Sequence, residues 1–209
     1  MPIEGLYALT PEQPDEAILA AQVEVALGAG LRLLQVRSKL GRDLRVQQTK
    51  RLVSLCRRYG ATCIVNDDPA LAAEVGADGV HLGREDGTVA EARRLLGAGA
   101  IVGVSCYDDL IRAQRLRAEG ADYVAFGSFF PSSVKPNAVR PPLDLLTHAR
   151  TVLDCPIVAI GGITLDTAPL VRDAGADAIA VITDVFSATD VGARVRAYGR
   201  LFERAVHPE

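Results

Sequence analysis

Three segments spell nearly the same transition: Val75-Gly76-Ala77-Asp78-Gly79-Val80, Glu119-Gly120-Ala121-Asp122-Tyr123-Val124 and Ala174-Gly175-Ala176-Asp177-Ala178-Ile179. In each, an Ala-rich amphipathic stretch stops at a glycine, which readily takes the left-handed backbone of a helix C-terminus, and an apolar run follows after a short turn. The copies lie roughly one or two βα units apart. A chain that repeats helix, turn and buried strand makes parallel strands with helices between them. At 209 residues this predicts an α/β fold, a single-domain (β/α)8 TIM barrel over residues 1–209.

Eight short apolar runs support that count: Leu6 to Thr10, Leu33 to Arg37, Cys63 to Asn66, Val80 to Leu82, Ile101 to Cys106, Tyr123 to Gly127, Ile157 to Gly161 and Ala178 to Thr183. Helical patterns separate them, and a C-terminal helix is expected from Val185 to Val206. An open doubly wound sheet would normally carry a Gly-rich phosphate turn after its first strand, and Leu9-Thr10-Pro11-Glu12 has none. With 49% hydrophobic residues the chain can bury one large core. A net charge of -3, with no run of Lys or Arg, points to neither nucleic acid nor a membrane surface. The absence of a charged leader and of a long apolar run predicts a cytoplasmic protein. Cys56, Cys63, Cys106 and Cys155 lack CxxC spacing and read as buried thiols.

In a barrel the strand C-termini and the loops after them converge on one mouth. The unusual polar residues of this chain fall there: Gln35-Val36-Arg37-Ser38-Lys39, Asn66-Asp67-Asp68, the loop through Asp86, Ser105, the segment from Ser128 to Lys135, Gly161-Gly162 and Ile182-Thr183. The glycines and the eighth strand end have the form of a phosphate corner, where backbone N–H groups meet an oxyanion. Asp67 and Asp86 follow neighbouring strands, and two facing carboxylates call for a bridging cation such as Mg²⁺; Asp68 reads instead as the cap of a helix beginning at Pro69. Arg37, Lys39 and Lys135, with the Ser105 hydroxyl, form a set suited to holding a diphosphate as it departs. Arg84 and Glu85 read as surface charges, and His81 as a packed, hydrogen-bonded histidine. The Pro-rich segment from Ser128 to Pro142 is long for a βα loop and reads as a lid.

Together these motifs resemble the thiamine-phosphate synthase family. The resemblance covers nearly the whole chain, through Gly5-Leu6-Tyr7, Gln35-Val36-Arg37-Ser38-Lys39, Ile64-Val65-Asn66-Asp67, Gly76-Ala77-Asp78-Gly79-Val80-His81-Leu82-Gly83, Gly103-Val104-Ser105-Cys106, Phe126-Gly127-Ser128-Phe129-Phe130-Pro131, Lys135-Pro136 and Val158-Ala159-Ile160-Gly161-Gly162-Ile163. It implies a Mg²⁺-dependent transferase that joins hydroxymethylpyrimidine diphosphate to thiazole phosphate, releasing diphosphate. By position it implies pyrimidine-diphosphate contacts at Gln35, Val36, Arg37, Ser38, Lys39, Asn66, Ser105 and Lys135, and Mg²⁺ ligands at Asp67 and Asp86. Thiazole-phosphate contacts are implied at Ser132, Ser133, Val134, Gly162, Ile182 and Thr183. The resemblance implies that Arg37, Lys39, Ser105 and Lys135 carry the catalytic roles. Val134 stands where the family commonly has Thr, and Tyr107 where it commonly has His. The related thiazole tautomerase needs neither the two carboxylates nor the full cation set, and a non-catalytic precursor-binding protein needs no such combination. Association into a homo-oligomer is compatible with the sequence.

Overall fold

The computed structural model describes residues 3–131 and 139–203. Eight parallel strands follow one another around a closed barrel in sequence order: β1 (Gly5–Leu9), β2 (Leu33–Val36), β3 (Thr62–Asn66), β4 (Gly79–Leu82), β5 (Ile101–Tyr107), β6 (Tyr123–Phe126), β7 (Ile157–Ile160) and β8 (Ala178–Val181), with β8 pairing back to β1. Between them run α1 (Glu16–Gly28), α2 (Arg42–Arg58), α3 (Pro69–Val75), α4 (Val89–Leu96), α5 (Leu110–Ala118), α6 (Asp144–Val152) and α7 (Ala168–Asp173). The expected strands fall within a residue or two of the observed ones.

The period-two alternation of each strand divides the core into two clusters. Outward residues such as Leu34, Val36, Val80, Val102, Val124 and Ile179 pack with the apolar faces of the helices. Inward residues such as Tyr7, Leu33, Ile64, Tyr123, Val158 and Ala180 fill the lumen. The helices start and stop on local signals. Asp15 caps α1 through two backbone N–H groups, Thr88 and Glu91 form a capping box on α4, and Gly76 ends α3 at φ 66°.

The aspartates of the repeated turn have a structural task. Asp78 accepts the Cys63 N–H at 2.7 Å, Asp122 accepts the Val102 N–H at 2.6 Å, and Asp177 accepts the Ile157 N–H at 2.7 Å. Each carboxylate, just ahead of an even-numbered strand, thus clamps the first turns of the odd-numbered strand before it. Arg93 and Arg150 neutralise Asp122 and Asp177. The main chain of the same residues completes the rim, as Asp177 N–H donates to Ile157 O and Gly5 N–H to Asp177 O.

The C-terminal helix differs from expectation. Among the described residues there are two helices where one is expected from Val185 to Val206, α8 (Thr183–Phe186) and α9 (Val191–Phe202), and Val206 lies outside those residues. The break comes at Asp190, whose side chain accepts the Ala193 N–H and starts a new helix. All four cysteines are free and buried, and no helix among the described residues is long and apolar enough to cross a membrane.

If the aspartate clamps hold the barrel, Asp177→Ala should lower unfolding free energy by about 1.5 to 3 kcal/mol, the worth of a hydrogen bond to a charged acceptor. Urea denaturation at neutral pH checks this, with the mouth chemistry unchanged in the surviving folded fraction.

Candidate active site

A cavity of about 1130 Å³ opens at the C-terminal ends of the strands. Its lining brings together Gln35, Arg37, Asn66, Asp67, Asp86 and Ser105 on one side with Gly161, Gly162, Ile182 and Thr183 on the other. Residues from six strand ends, distant in sequence, meet because the barrel points all its strand C-termini to the same face.

The acidic side is built by a sharp turn after β3. Asp67 takes a left-handed backbone, φ 66°, and its N–H donates to His81 O at 2.8 Å. Asp68, one residue on, turns the other way and caps α3 by accepting the Leu71 N–H, while Arg45 pairs with it at 2.7 Å. Asp86 returns from the loop after β4, its Oδ2 held by the Gly83 N–H at 2.8 Å. A Cβ on Gly83 would lie 2.4 Å from Asp86 Oδ2 and 3.8 Å from Asp67 Oδ1. Two carboxylates therefore converge on the space that the glycine leaves open. Burial, then the charge of Asp86 and a hydrogen bond to it, push the Asp67 carboxyl up to about 6.

The basic side is partly neutralised within the protein. Arg37 pairs with Glu12 at 2.9 Å, and the Lys39 N–H donates to the other oxygen of the same carboxylate. Thr10 ties this loop to β1, accepting the Arg37 N–H and donating to Arg37 O, both at 2.9 Å. Opposite, Gly161 and Gly162 have φ values of 103° and 64°. A Cβ on Gly162 would meet Pro131 O at 2.2 Å, so only glycine fits beneath the loop that passes over it. Asp184, at the start of α8, accepts the Leu165 N–H and binds Arg194 and Tyr198, tying the β7 loop to α8 and α9.

A profile of the family described as thiamine monophosphate synthase matches residues 6–185 of the chain. This chain belongs to the thiamine monophosphate synthase family. A relative from Azoarcus sp. (strain BH72), a thiamine-phosphate synthase, is 57% identical over 96% of this chain and 98% of its own. Another thiamine-phosphate synthase, from Aromatoleum aromaticum, is 54% identical over 96% and 97%. Among solved structures, the thiamine phosphate pyrophosphorylase from Pyrococcus furiosus superposes with a TM-score of 0.83 at 33% identity, over 94% of each chain.

Not all of the expected site residues line the cavity among the described residues. Val36 packs in the outer core between sheet and helices, so its side chain does not reach the cavity. Ser38 and Lys39 lie in the loop after β2, outside the cavity lining. Ser132, Ser133, Val134 and Lys135, with most of the segment read as a lid, fall outside the described residues. Arg84 and Glu85 are exposed, as expected of surface charges, and stand at the rim of the cavity, where the Arg84 guanidinium stacks 4.8 Å over the Tyr107 ring. A charged loop residue shows no sequence sign of which way its loop folds. Sequence reasoning also passed over Glu12 and the lumen tyrosines Tyr7 and Tyr123. A buried phenol seeks a partner for its hydroxyl, and both tyrosines occupy inward positions of their strands, so that signal was present.

The raised carboxyl of Asp67 has a stability consequence. Its folded value, about 6, lies above the ordinary value of 3.8. Between these two values the native state binds a proton that the unfolded chain has released, so stability falls as pH rises through that window and stays lower above it. Asp67→Asn should flatten this part of the stability curve and raise stability at pH 7 relative to the parent. Urea midpoints taken between pH 4 and 7 without divalent cations, at matched ionic strength, measure the difference in slope.

Proposed function

We propose that this chain joins hydroxymethylpyrimidine diphosphate to thiazole phosphate, forming thiamine phosphate and diphosphate in a Mg²⁺-dependent transfer. The observation that carries the reading is the convergence of Asp67 and Asp86 on one open space beside Arg37, Gln35 and Ser105, with a glycine corner across the same cavity.

The residues present fit the metal. Two carboxylates that repel each other at the cavity mouth form an all-oxygen donor set, the kind Mg²⁺ takes together with substrate phosphate oxygens and water. Asp67 and Asp86 would hold the ion, and when bound it supplies positive charge beside the diphosphate.

The side chains divide the remaining work. Asn66, Arg37 and Lys135 hold the diphosphate, with the Lys39 side chain reaching in from the loop beside the cavity, and the charge of the three cations matters most as the bond to the methylene carbon breaks and negative charge collects on the leaving group. Gln35 and Ser105 orient the pyrimidine ring, whose amino group stabilises the positive charge left on the methylene carbon. Gly162, Ile182 and Thr183, with Ser132, Ser133 and Val134, hold the thiazole phosphate so that the ring nitrogen faces that carbon. The apolar lumen below excludes water, which would otherwise capture the carbon before the thiazole does. No general base is needed, since the attacking nitrogen carries no proton.

Incubation of the purified protein with both phosphorylated substrates and Mg²⁺ should yield thiamine phosphate and diphosphate in equal amounts; no product under these conditions would overturn the reading. Asp86→Asn should raise the Mg²⁺ concentration for half-maximal rate at least several-fold. Lys135→Ala should slow the single-turnover chemical step by about two to three orders of magnitude, as removal of a transition-state charge partner does. A normal single-turnover rate would remove Lys135 from the chemistry.

A further inference from the structure

Five side chains inside the barrel form one continuous hydrogen-bonded chain across the lumen. Gln35 Nε2 donates to the Tyr7 hydroxyl at 2.8 Å, and the Tyr7 and Tyr123 hydroxyls are 2.8 Å apart. The Tyr123 hydroxyl lies 2.9 Å from His81 Nδ1, and His81 Nε2 lies 2.9 Å from Ser105 Oγ. The two ends, Gln35 and Ser105, both line the cavity. The chain depends on space made by a glycine: a Cβ on Gly103 would stand 1.9 Å from Tyr123 Cζ. In that space the Tyr123 ring stacks on His81 and meets the Tyr7 ring edge-on.

The bonding pattern fixes a direction. An amide nitrogen only donates, so the Tyr7 oxygen accepts from Gln35. Burial holds both phenols well above their ordinary range, so each keeps its proton. Tyr7 is 1% exposed, and among the described residues the partner left for its proton is Tyr123. An unpaired buried hydroxyl would be costly, so Tyr7 donates to Tyr123, and Tyr123 in turn donates to His81 Nδ1. An imidazole that accepts at Nδ1 carries its hydrogen on Nε2, and that hydrogen goes to Ser105 Oγ. All four donors point the same way, from Gln35 toward Ser105.

We propose that Tyr7, Tyr123 and His81 are positioning residues: the chain they form turns the Gln35 carbonyl oxygen and the Ser105 hydroxyl hydrogen toward the cavity, and so sets the donor–acceptor pattern that reads the pyrimidine ring. The assignment to a pyrimidine rests on the function proposed above; the direction of the chain does not. An aminopyrimidine offers an N–H donor and ring-nitrogen acceptors, which answer an outward acceptor at Gln35 and an outward donor at Ser105. A ring with a carbonyl in place of the amino group sets two acceptors face to face at Gln35, and the site discriminates against it.

Gln35→Glu reverses the chain. A carboxylate only accepts, so Tyr7 donates to it, Tyr123 donates to Tyr7, His81 donates from Nδ1, and Ser105 turns its hydrogen inward to Nε2. The experiment is ¹⁵N NMR of imidazole-labelled protein without substrate, with the His81 signals identified by their loss in His81→Gln. The wild type should show the Nε2–H tautomer and Gln35→Glu the Nδ1–H tautomer. An Nδ1–H form or an imidazolium in the wild type, or an unchanged tautomer in Gln35→Glu, would overturn the chain. In kinetics, Tyr123→Phe removes only the hydroxyl and should raise KM for the pyrimidine diphosphate by about tenfold, the loss of roughly one oriented hydrogen bond, while KM for thiazole phosphate stays unchanged. Tyr7→Phe should do the same should Tyr123→Phe fold poorly. Equal effects on both substrates, or none, would reduce these tyrosines to packing. Absence of any thiamine phosphate from the wild type would instead remove the proposed function and leave the tautomer result standing.

Discussion

A parallel barrel closes only if eight strands keep one register, and here the register within three strand pairs, β3–β4, β5–β6 and β7–β8, is held by carboxylates at the rim away from the mouth. Asp78, Asp122 and Asp177 each accept a strand-initial N–H from the neighbouring strand, within hydrogen-bond distances of 2.6 to 2.7 Å. The backbone of the same turns adds bonds to both neighbours. These three pairs thereby become fixed units, and β1 and β2 close the ring between them through their ladders to β8 and β3. The opposite rim is left free of this duty, and its loops can carry polar groups whose arrangement serves ligands rather than closure.

The lumen shows the same economy on a smaller scale. Inward strand positions hold small residues wherever a large one must cross, so Gly103 admits the Tyr123 ring and Gly79 admits the backbone of β5, where a Cβ would lie 2.0 Å from Ile101 O. The apolar floor made by Ile64, Val158 and Ala180 is therefore threaded by polar groups that satisfy one another. Low local dielectric strengthens such bonds and makes any missing partner expensive. A mouth resting on this floor inherits its order: Gln35 and Ser105 are held from below before any ligand arrives.

Much of this was legible in the sequence for physical reasons that can be named. The Gly-Ala-Asp turns and the eight apolar runs betray a parallel α/β fold because strand and helix periods alternate, and the count of eight with no Gly-rich turn after the first strand favours the barrel over an open doubly wound sheet. Asp68 could be read as a cap because Pro69 follows it, and a proline at a helix start needs no N–H partner. The convergence of Asp67 with Asp86 was legible from neighbouring strand ends alone. What escaped depends on geometry that no local pattern carries. The Tyr7–Tyr123 bond joins residues 116 positions apart, and its existence turns on a glycine in a third strand. The pairing of Glu12 with Arg37 joins two loops whose directions are set only when β1 and β2 are side by side. The division of the last helix hangs on Asp190, one polar residue among several in its loop.

Gly83 illustrates how such a site can depend on a residue that contributes no functional group. Its N–H fixes Asp86, and its missing side chain is the room in which the two carboxylates face each other. Any replacement fills that room with carbon, without altering a single charge or donor. In mutational terms the position is a silent gatekeeper: a survey of charged and polar residues would overlook it, although every side chain larger than hydrogen competes for the volume in which the acidic pair meets.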